Sequence, residues 1–198
     1  MQSPENRQES MSLSQRWQAV MAQLRQAEQA VGRAHGSVNL LAVSKLHPAQ
    51  AIRELYAAGQ TAFGENYVQE ALDKMVALAD LPLQWHLIGP LQSNKTQQVA
   101  ANFDWVHSVD RLKIAQRLSA QRPTLLPPLQ ICLQVNIDDE DSKSGCALAD
   151  LPALAEAVLA LPQLRLRGLM AIPRPGNAGA HALLAKTASD LLARLPAL

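Results

Sequence analysis

The stretch Val38-Asn39-Leu40-Leu41-Ala42-Val43-Ser44-Lys45-Leu46-His47-Pro48 decides how the rest of the chain is read. Its apolar run, Val38 to Val43, is short, carries no charge and stops at Ser44-Lys45, the pattern of a strand buried on both faces. Pro48 is pre-set for the first turn of a helix, which the sequence carries through Tyr56 and closes at Gly59. A buried strand followed at once by a helix predicts parallel pairing, because the chain must cross over before it can lay down the next parallel strand.

The same grammar repeats downstream. Thr61-Ala62-Phe63 ends in Gly64-Glu65-Asn66 and precedes a helix with Val68, Ala71, Leu72, Met75 and Val76 on one face. Gln84 to Ile88 ends in Gly89-Pro90, before a short helix near Ser93 to Ala101. Trp105 to Ser108 is followed by Asp110, a predicted N-cap. Leu129 to Val135 ends in Asn136, and a loop from Ile137 to Gly145 leads to a helix around Leu151 to Leu161. Leu166 to Ile172 ends in Pro173, before a last helix over Ala180 to Leu195. Upstream, Leu13, Trp17, Val20, Met21, Leu24 and Val31 recur at helical spacing, and Ser12 and Gln15 have the spacing of a capping box. About six strand–helix units, with no Gly-x-Gly-x-x-Gly after the first strand, favour a TIM-type (β/α) barrel with an N-terminal helix over a Rossmann sheet. Lys45, Asn66, His86, His107 and Asn136 fall at or just beyond strand ends, where such barrels carry their sites.

Composition narrows the function. The chain has 198 residues, 48% hydrophobic and 18% charged, with a formal net charge of +1. That length predicts a single domain over residues 12–198, after a disordered tail over residues 1–11 within which Met11 is an alternative start. Near-neutral charge argues against a protein whose main task is holding nucleic acid or an acidic membrane. No stretch approaches the ~20 apolar residues of a bilayer span, and Met1 to Ser10 lacks the apolar core of a secretory signal. Cys132 and Cys146 make neither a disulfide framework nor a metal cluster, so a reducing cytoplasm is the simpler setting. The histidines lack metal-ligand spacing, and no Gly-x-Ser-x-Gly elbow marks a hydrolase.

Lys45 is the sharpest candidate. A lysine directly after a buried run stands between apolar wall and cavity, where desolvation favours the neutral amine that attacks aldehydes. The alternative is a lysine that snorkels from a strand end to water.

Leu-Leu-Ala-Val-Ser-Lys at 40–45 resembles the motif of the pyridoxal 5′-phosphate (PLP) homeostasis family, whose fold is similar to the N-terminal barrel of alanine racemase. Further blocks match in order: Phe63-Gly64-Glu65-Asn66-Tyr67-Val68-Gln69-Glu70, Trp85 to Lys95, Asp138 to Gly145, and Arg165 to Pro173. Ordered blocks on successive units are far more specific than one short motif. The resemblance implies that Lys45 holds PLP as a Schiff base. It places Asn66 at the ring side of the cofactor, His86 and Gly89 at the third strand end, Met170 at the sixth, and Lys143 near the pocket mouth. Gly89-Pro90 is also plain turn chemistry, and Ser142-Lys143-Ser144 also reads as a solvated loop. The implied protein is a PLP carrier serving vitamin B6 balance in the cytoplasm, with PLP-dependent apoenzymes as partners and no catalytic residues. The alternative is a racemase-like enzyme, which needs a second base; Tyr56 and Tyr67 are the tyrosines present. The family continues into a seventh strand of Ser-Met-Gly-Met-Ser type and a last strand rich in Gly, Thr and Arg, whereas this sequence closes at Arg194-Leu195-Pro196-Ala197-Leu198. The expectation is therefore a C-terminally truncated barrel of about six of eight units, a member with weakened grip on the PLP phosphate.

Overall fold

In the computed structural model, which describes residues 11–140 and 144–195, Ser12 and Gln15 form the capping box that their spacing predicts. Ser12 Oγ accepts from Gln15 N–H at 3.1 Å, and Gln15 Oε1 accepts from Ser12 N–H at 2.9 Å. They open helix α1, Leu13–Ala30. The remaining elements alternate as expected: β1 (Ala42–Val43), α2 (Ala49–Ala57), β2 (Ala62–Glu65), α3 (Val68–Ala77), β3 (Gln84–Leu87), a 3₁₀ turn (Ser93–Lys95), α4 (Thr96–Asn102), β4 (Trp105–Val109), α5 (Leu112–Gln121), β5 (Leu129–Gln134), α6 (Leu151–Leu159), β6 (Leu164–Met170) and α7 (Ala180–Arg194). The strands hydrogen-bond in chain order, β1-β2-β3-β4-β5-β6. This is the α/β architecture that the repeated strand–helix grammar requires. The contacts divide the chain into two compact units, one running to Gly64 and including Glu70–Gln84, the other formed by Glu65–Gln69 and the residues from Trp85 onward.

In the first unit, β1 and β2 pair in parallel, Ala42 opposite Phe63 and Val43 opposite Gly64. β1 is much shorter than its apolar run, and the reason is where the backbone groups go. Val38 N–H donates to Glu28 Oε1 at 2.6 Å, and Val38 C=O accepts from Arg25 Nη2 at 3.2 Å. Leu40 C=O accepts from Gln60 Nε2 at 2.9 Å. Side chains thus take the ladder bonds, and only Ala42 and Val43 remain for pairing. Gln60 is buried and also donates to Ala62 C=O while accepting from Trp17 Nε1, so one amide ties α1 to β2 and to the segment before β1. Glu28 is the second hub, accepting from Arg25, Gly36 N–H, Ser37 Oγ and Val38 N–H. Burial pulls its pKa up, but these hydrogen bonds outweigh it and hold the carboxyl down at about 2.

In the second unit, β3 to β6 pair in parallel. Val106, Leu129, Ile131 and Leu133 are fully buried, as are Ile114 and Leu118 of α5 and Leu151 and Ala155 of α6. Ile131 faces Leu166 but Cys132 faces Gly168, so Arg167 is the extra residue of a bulge. Gly168 carries φ +154° there, a backbone that a side chain would strain. Arg122 closes this unit by donating to the carbonyls of Ala100, Phe103 and Pro127 at 2.7–2.8 Å.

Two local expectations fail. Asp110 is not the N-cap of α5: β4 runs one residue further than the apolar run, the helix starts later, and Arg111 takes the cap while pairing with Asp110 at 2.7 Å. Val76 lies on the exposed side of α3 at 80% exposure, and the polar Lys74 takes a buried place instead. The sequence expectation for residues 1–10 lies outside the described residues.

Glu28 sets an acid-stability prediction. Its folded pKa lies below the ordinary 4.5, so its contribution is complete above 4.5 and is lost as pH falls through about 2. Glu28→Gln should lower the melting temperature at neutral pH, and the gap to the parent should close as pH falls from about 4.5 toward about 2. Thermal melts across that range check it; a gap that stays constant refutes it.

Candidate functional site

Lys45 stands in the first unit, immediately after β1. Ser44 N–H completes the ladder to Gly64 C=O at 2.9 Å, and His47 N–H then turns back to Ser44 C=O at 3.0 Å. Lys45 and Leu46 are the two central residues of this tight turn. Leu46 has φ +63°, the left-handed conformation demanded at the third position of some turns and ordinarily supplied by Gly or Asn. For a leucine it costs on the order of 1 kcal/mol, and at 77% exposure its side chain gains little from burial. The compensating contacts are on its backbone. Leu46 N–H donates to Glu70 Oε1 at 2.6 Å. The same oxygen accepts from Lys74 Nζ at 2.7 Å, and Lys74 Nζ also donates to Ser44 C=O at 2.7 Å. Lys74 is buried, with 7% exposure, so its ammonium needs these acceptors. Its hydrogen bond holds the Glu70 carboxyl below the usual carboxylate range, against burial and with help from Leu46 N–H.

Lys45 itself is exposed, and among the described residues its Nζ makes no hydrogen bond or ion pair. The desolvation expected of it is absent, because the strand before it is only two residues long and its own side chain stands outside the core.

The second unit holds the other predicted positions. Asn66 and Gly89 meet directly: a Cβ on Gly89 would lie 2.4 Å from Asn66 O and 2.6 Å from Asn66 Cα, so only glycine permits this approach. Ile88 and Gly89 N–H both donate to Glu65 C=O, which holds the two segments together. His86 is buried on β3 and stacks on Trp105 with ring centroids 5.3 Å apart and planes 9° from parallel. Its Nδ1 lies 2.9 Å from His107 Nε2, a spacing that one shared proton between two neutral imidazoles satisfies. Burial, then the neighbouring His107, pushes the His86 pKa down to about 3, and burial also lowers that of His107. His107 sits within β4 rather than at its end, because that strand continues to Val109. Met170 ends β6 opposite Gln134, half-buried, and its C=O accepts from Val135 N–H at 2.8 Å. It stands apart from His86, with β4 and β5 between their strands. Lys143 lies outside the described residues.

Cys132 and Cys146 are buried, and burial pushes both thiols up to about 11, so neither is a thiolate nucleophile near neutral pH. Among the described residues no group of three or more His, Cys, Asp or Glu could hold a metal ion, and no helix is long and apolar enough to cross a membrane.

The chain matches the alanine racemase N-terminal domain family over residues 16–189. A pyridoxal phosphate homeostasis protein of Pseudomonas aeruginosa is 65% identical over 175 residues, 87% of this chain and 76% of that protein. The chain belongs to the pyridoxal phosphate homeostasis protein family. Another member, from Vibrio cholerae, is 50% identical over 194 residues, 93% of this chain and 82% of its own. PipY of Synechococcus elongatus, solved with PLP bound, is 43% identical with a TM-score of 0.75, over 90% of this chain and 84% of that one. An alanine racemase of Clostridium difficile shares the fold alone, at 12% identity and a TM-score of 0.68 over 83% of this chain and 45% of that one.

The sequence marks Lys45 as a candidate but not what surrounds its turn. Glu70 and Lys74 have the i, i+4 spacing of a helix ion pair, which was the available signal. The His86–His107 pair yields a prediction of its own. A histidine kept neutral by the fold stabilises it above the ordinary 6.5, and that contribution declines as pH falls from there toward about 3. His86→Phe, which keeps a ring against Trp105, should flatten the dependence of urea stability on pH in this window. A slope equal to the parent's rules the account out.

Proposed function

We propose that this chain binds PLP, holds it covalently through Lys45 Nζ, and serves intracellular PLP homeostasis as a carrier. The observation that carries this reading is the amine of Lys45: it is exposed, without a partner among the described residues, on a turn whose backbone is pinned on both sides. A primary amine so placed fits an aldehyde. Its nitrogen adds to the aldehyde carbon and one water leaves, a reaction that needs the neutral amine and open access. When bound, PLP supplies an aldehyde for this link, an aromatic ring and a phosphate. The residue types at the other family positions suit such a ligand. Asn66 offers an amide, Gly89 lets the Asn66 segment approach closely, Met170 is apolar, and the His86 ring is kept neutral by burial. Lys143 is proposed as a peripheral contact. PipY, solved with PLP, supports the reading through its 43% identity.

We further propose that the protein has no turnover of its own, acts in the cytoplasm and passes PLP to PLP-dependent apoenzymes. Residues 12–198 act as one cofactor-binding domain in this reading, in line with the single family match over residues 16–189. Racemisation would need a second base. Tyr56 lies half-buried in α2, and Tyr67 is 56% exposed.

Titration of the purified protein with PLP should produce the visible absorbance of lysine-bound PLP, and Lys45→Ala should abolish it. A persisting band in that variant assigns the cofactor to another lysine. Incubated with alanine in deuterated solvent, the PLP-loaded protein should leave the α-proton in place. Stereospecific exchange would overturn the carrier reading in favour of the racemase-like one.

A further inference from the structure

The two peptide groups flanking Lys45 are both held by one ion pair. The carbonyl of the Ser44–Lys45 peptide accepts from Lys74 Nζ at 2.7 Å, and the N–H of the Lys45–Leu46 peptide donates to Glu70 Oε1 at 2.6 Å. Glu70 and Lys74 are themselves joined at 2.7 Å, one turn apart on α3. A surface pair of this spacing ordinarily keeps both heads in water. Here Lys74 is buried and reaches across to a backbone carbonyl 30 residues away. The turn it meets needs such help, because Leu46 holds a left-handed backbone with no glycine to make it easy and no buried side chain to reward it. Non-glycine strain of this kind persists only where the surroundings over-determine it.

We propose that Glu70 and Lys74 are positioning residues for Lys45: their ion pair fixes the peptide planes on either side of the Lys45 Cα, so that the amine is presented in one direction to an incoming aldehyde. The proposal rests on Lys45 being the lysine that holds PLP. Neither residue touches the aldehyde. Each acts through the backbone, by removing rotations that would otherwise be lost when the covalent link forms. Without the clamp, Leu46 returns to an ordinary conformation, the turn opens, and Lys45 behaves like any surface lysine.

The test compares Lys45 with an internal control. Lys113 is exposed on α5 and serves as an ordinary lysine in the same sample. The full chain is mixed with PLP, the imine is reduced with borohydride at set times, and pyridoxyl label at Lys45 and Lys113 is counted by mass spectrometry. Glu70→Ala and Lys74→Met should each slow labelling of Lys45 by about tenfold, the scale of one lost charge-assisted hydrogen bond. Labelling of Lys113 should not change. Hydrogen exchange at the Leu46 amide should accelerate in the same variants. Glu70→Gln keeps an acceptor oxygen in place and should restore most of the Lys45 rate. If the first two variants fail to fold, Glu70→Asp keeps the charge but shortens the reach to Leu46, and should still lower the Lys45-to-Lys113 ratio. A ratio equal to the parent's in folded Glu70→Ala and Lys74→Met, or in Glu70→Asp where those do not fold, overturns the proposal. Lys45→Ala run in parallel separates the two levels: loss of the absorbance there with normal labelling in Glu70→Ala and Lys74→Met, or in Glu70→Asp where those do not fold, defeats the clamp alone. Absorbance that survives in Lys45→Ala defeats the assignment of Lys45, and the clamp with it.

Discussion

Backbone polar groups at the turns between strands and helices have neither a ladder nor a helix to satisfy them, and burial without a partner is costly. In this chain, buried polar side chains meet that demand. Glu28 takes the amides of Gly36 and Val38, Gln60 takes the carbonyls of Leu40 and Ala62, Lys74 takes the carbonyl of Ser44, and Arg122 takes those of Ala100, Phe103 and Pro127. All four are buried. Each therefore has two obligations met by the same contacts: the side chain satisfies its own head group, and the turn satisfies its backbone. Removing Glu28, Gln60 or Arg122 takes a side-chain partner from more than one backbone group.

The same demand explains which parts of the fold were legible. Helix α1 follows from periodicity and from Ser12 and Gln15, because capping is local chemistry, whereas Pro48 takes the extended N-cap place of α2 rather than its first turn. Strands were found by their apolar runs, but their lengths were not. Val38 to Leu41 has the composition of a strand, yet Glu28, Arg25 and Gln60 occupy its backbone from other segments. Composition carries no record of such long-range partners. The Asp110 cap failed for the opposite reason, an extra residue of β4 pairing that shifted the start of α5.

The candidate site divides along the same line. Lys45, Asn66, His86, Gly89 and Met170 are positions that family motifs mark in sequence. Their partners are not. His86 meets His107 only through the β3–β4 register, which sets His86 opposite Trp105. Glu70 and Lys74 were legible as an ion pair of α3, but helical spacing says nothing of which loop lies against the helix. Val76 shows the cost of reading one face from spacing alone: it is exposed, and the buried place went to a lysine whose charge the Ser44 turn could use.

That exchange bears on how Lys45 would react. A lysine can be made nucleophilic by desolvation, which disfavours its charged form, or it can be left in water and held in place, which lowers the entropic cost of reaction. The proposed role of Lys45 matches the second arrangement: the buried lysine is Lys74, and Lys45 is exposed. The desolvation cost thus falls on Lys74, which spends its N–H groups on the Ser44 carbonyl and the Glu70 carboxylate. The two strategies have different consequences for release. An enzyme gains by closing water out of the reacting centre, which strengthens interactions there and protects its intermediates. Water is a reactant when a carbon–nitrogen link to an aldehyde is broken, so an exposed lysine can both take up such a ligand and return it. Exposure combined with a fixed backbone therefore suits a carrier, for which capture and release are equally part of the task.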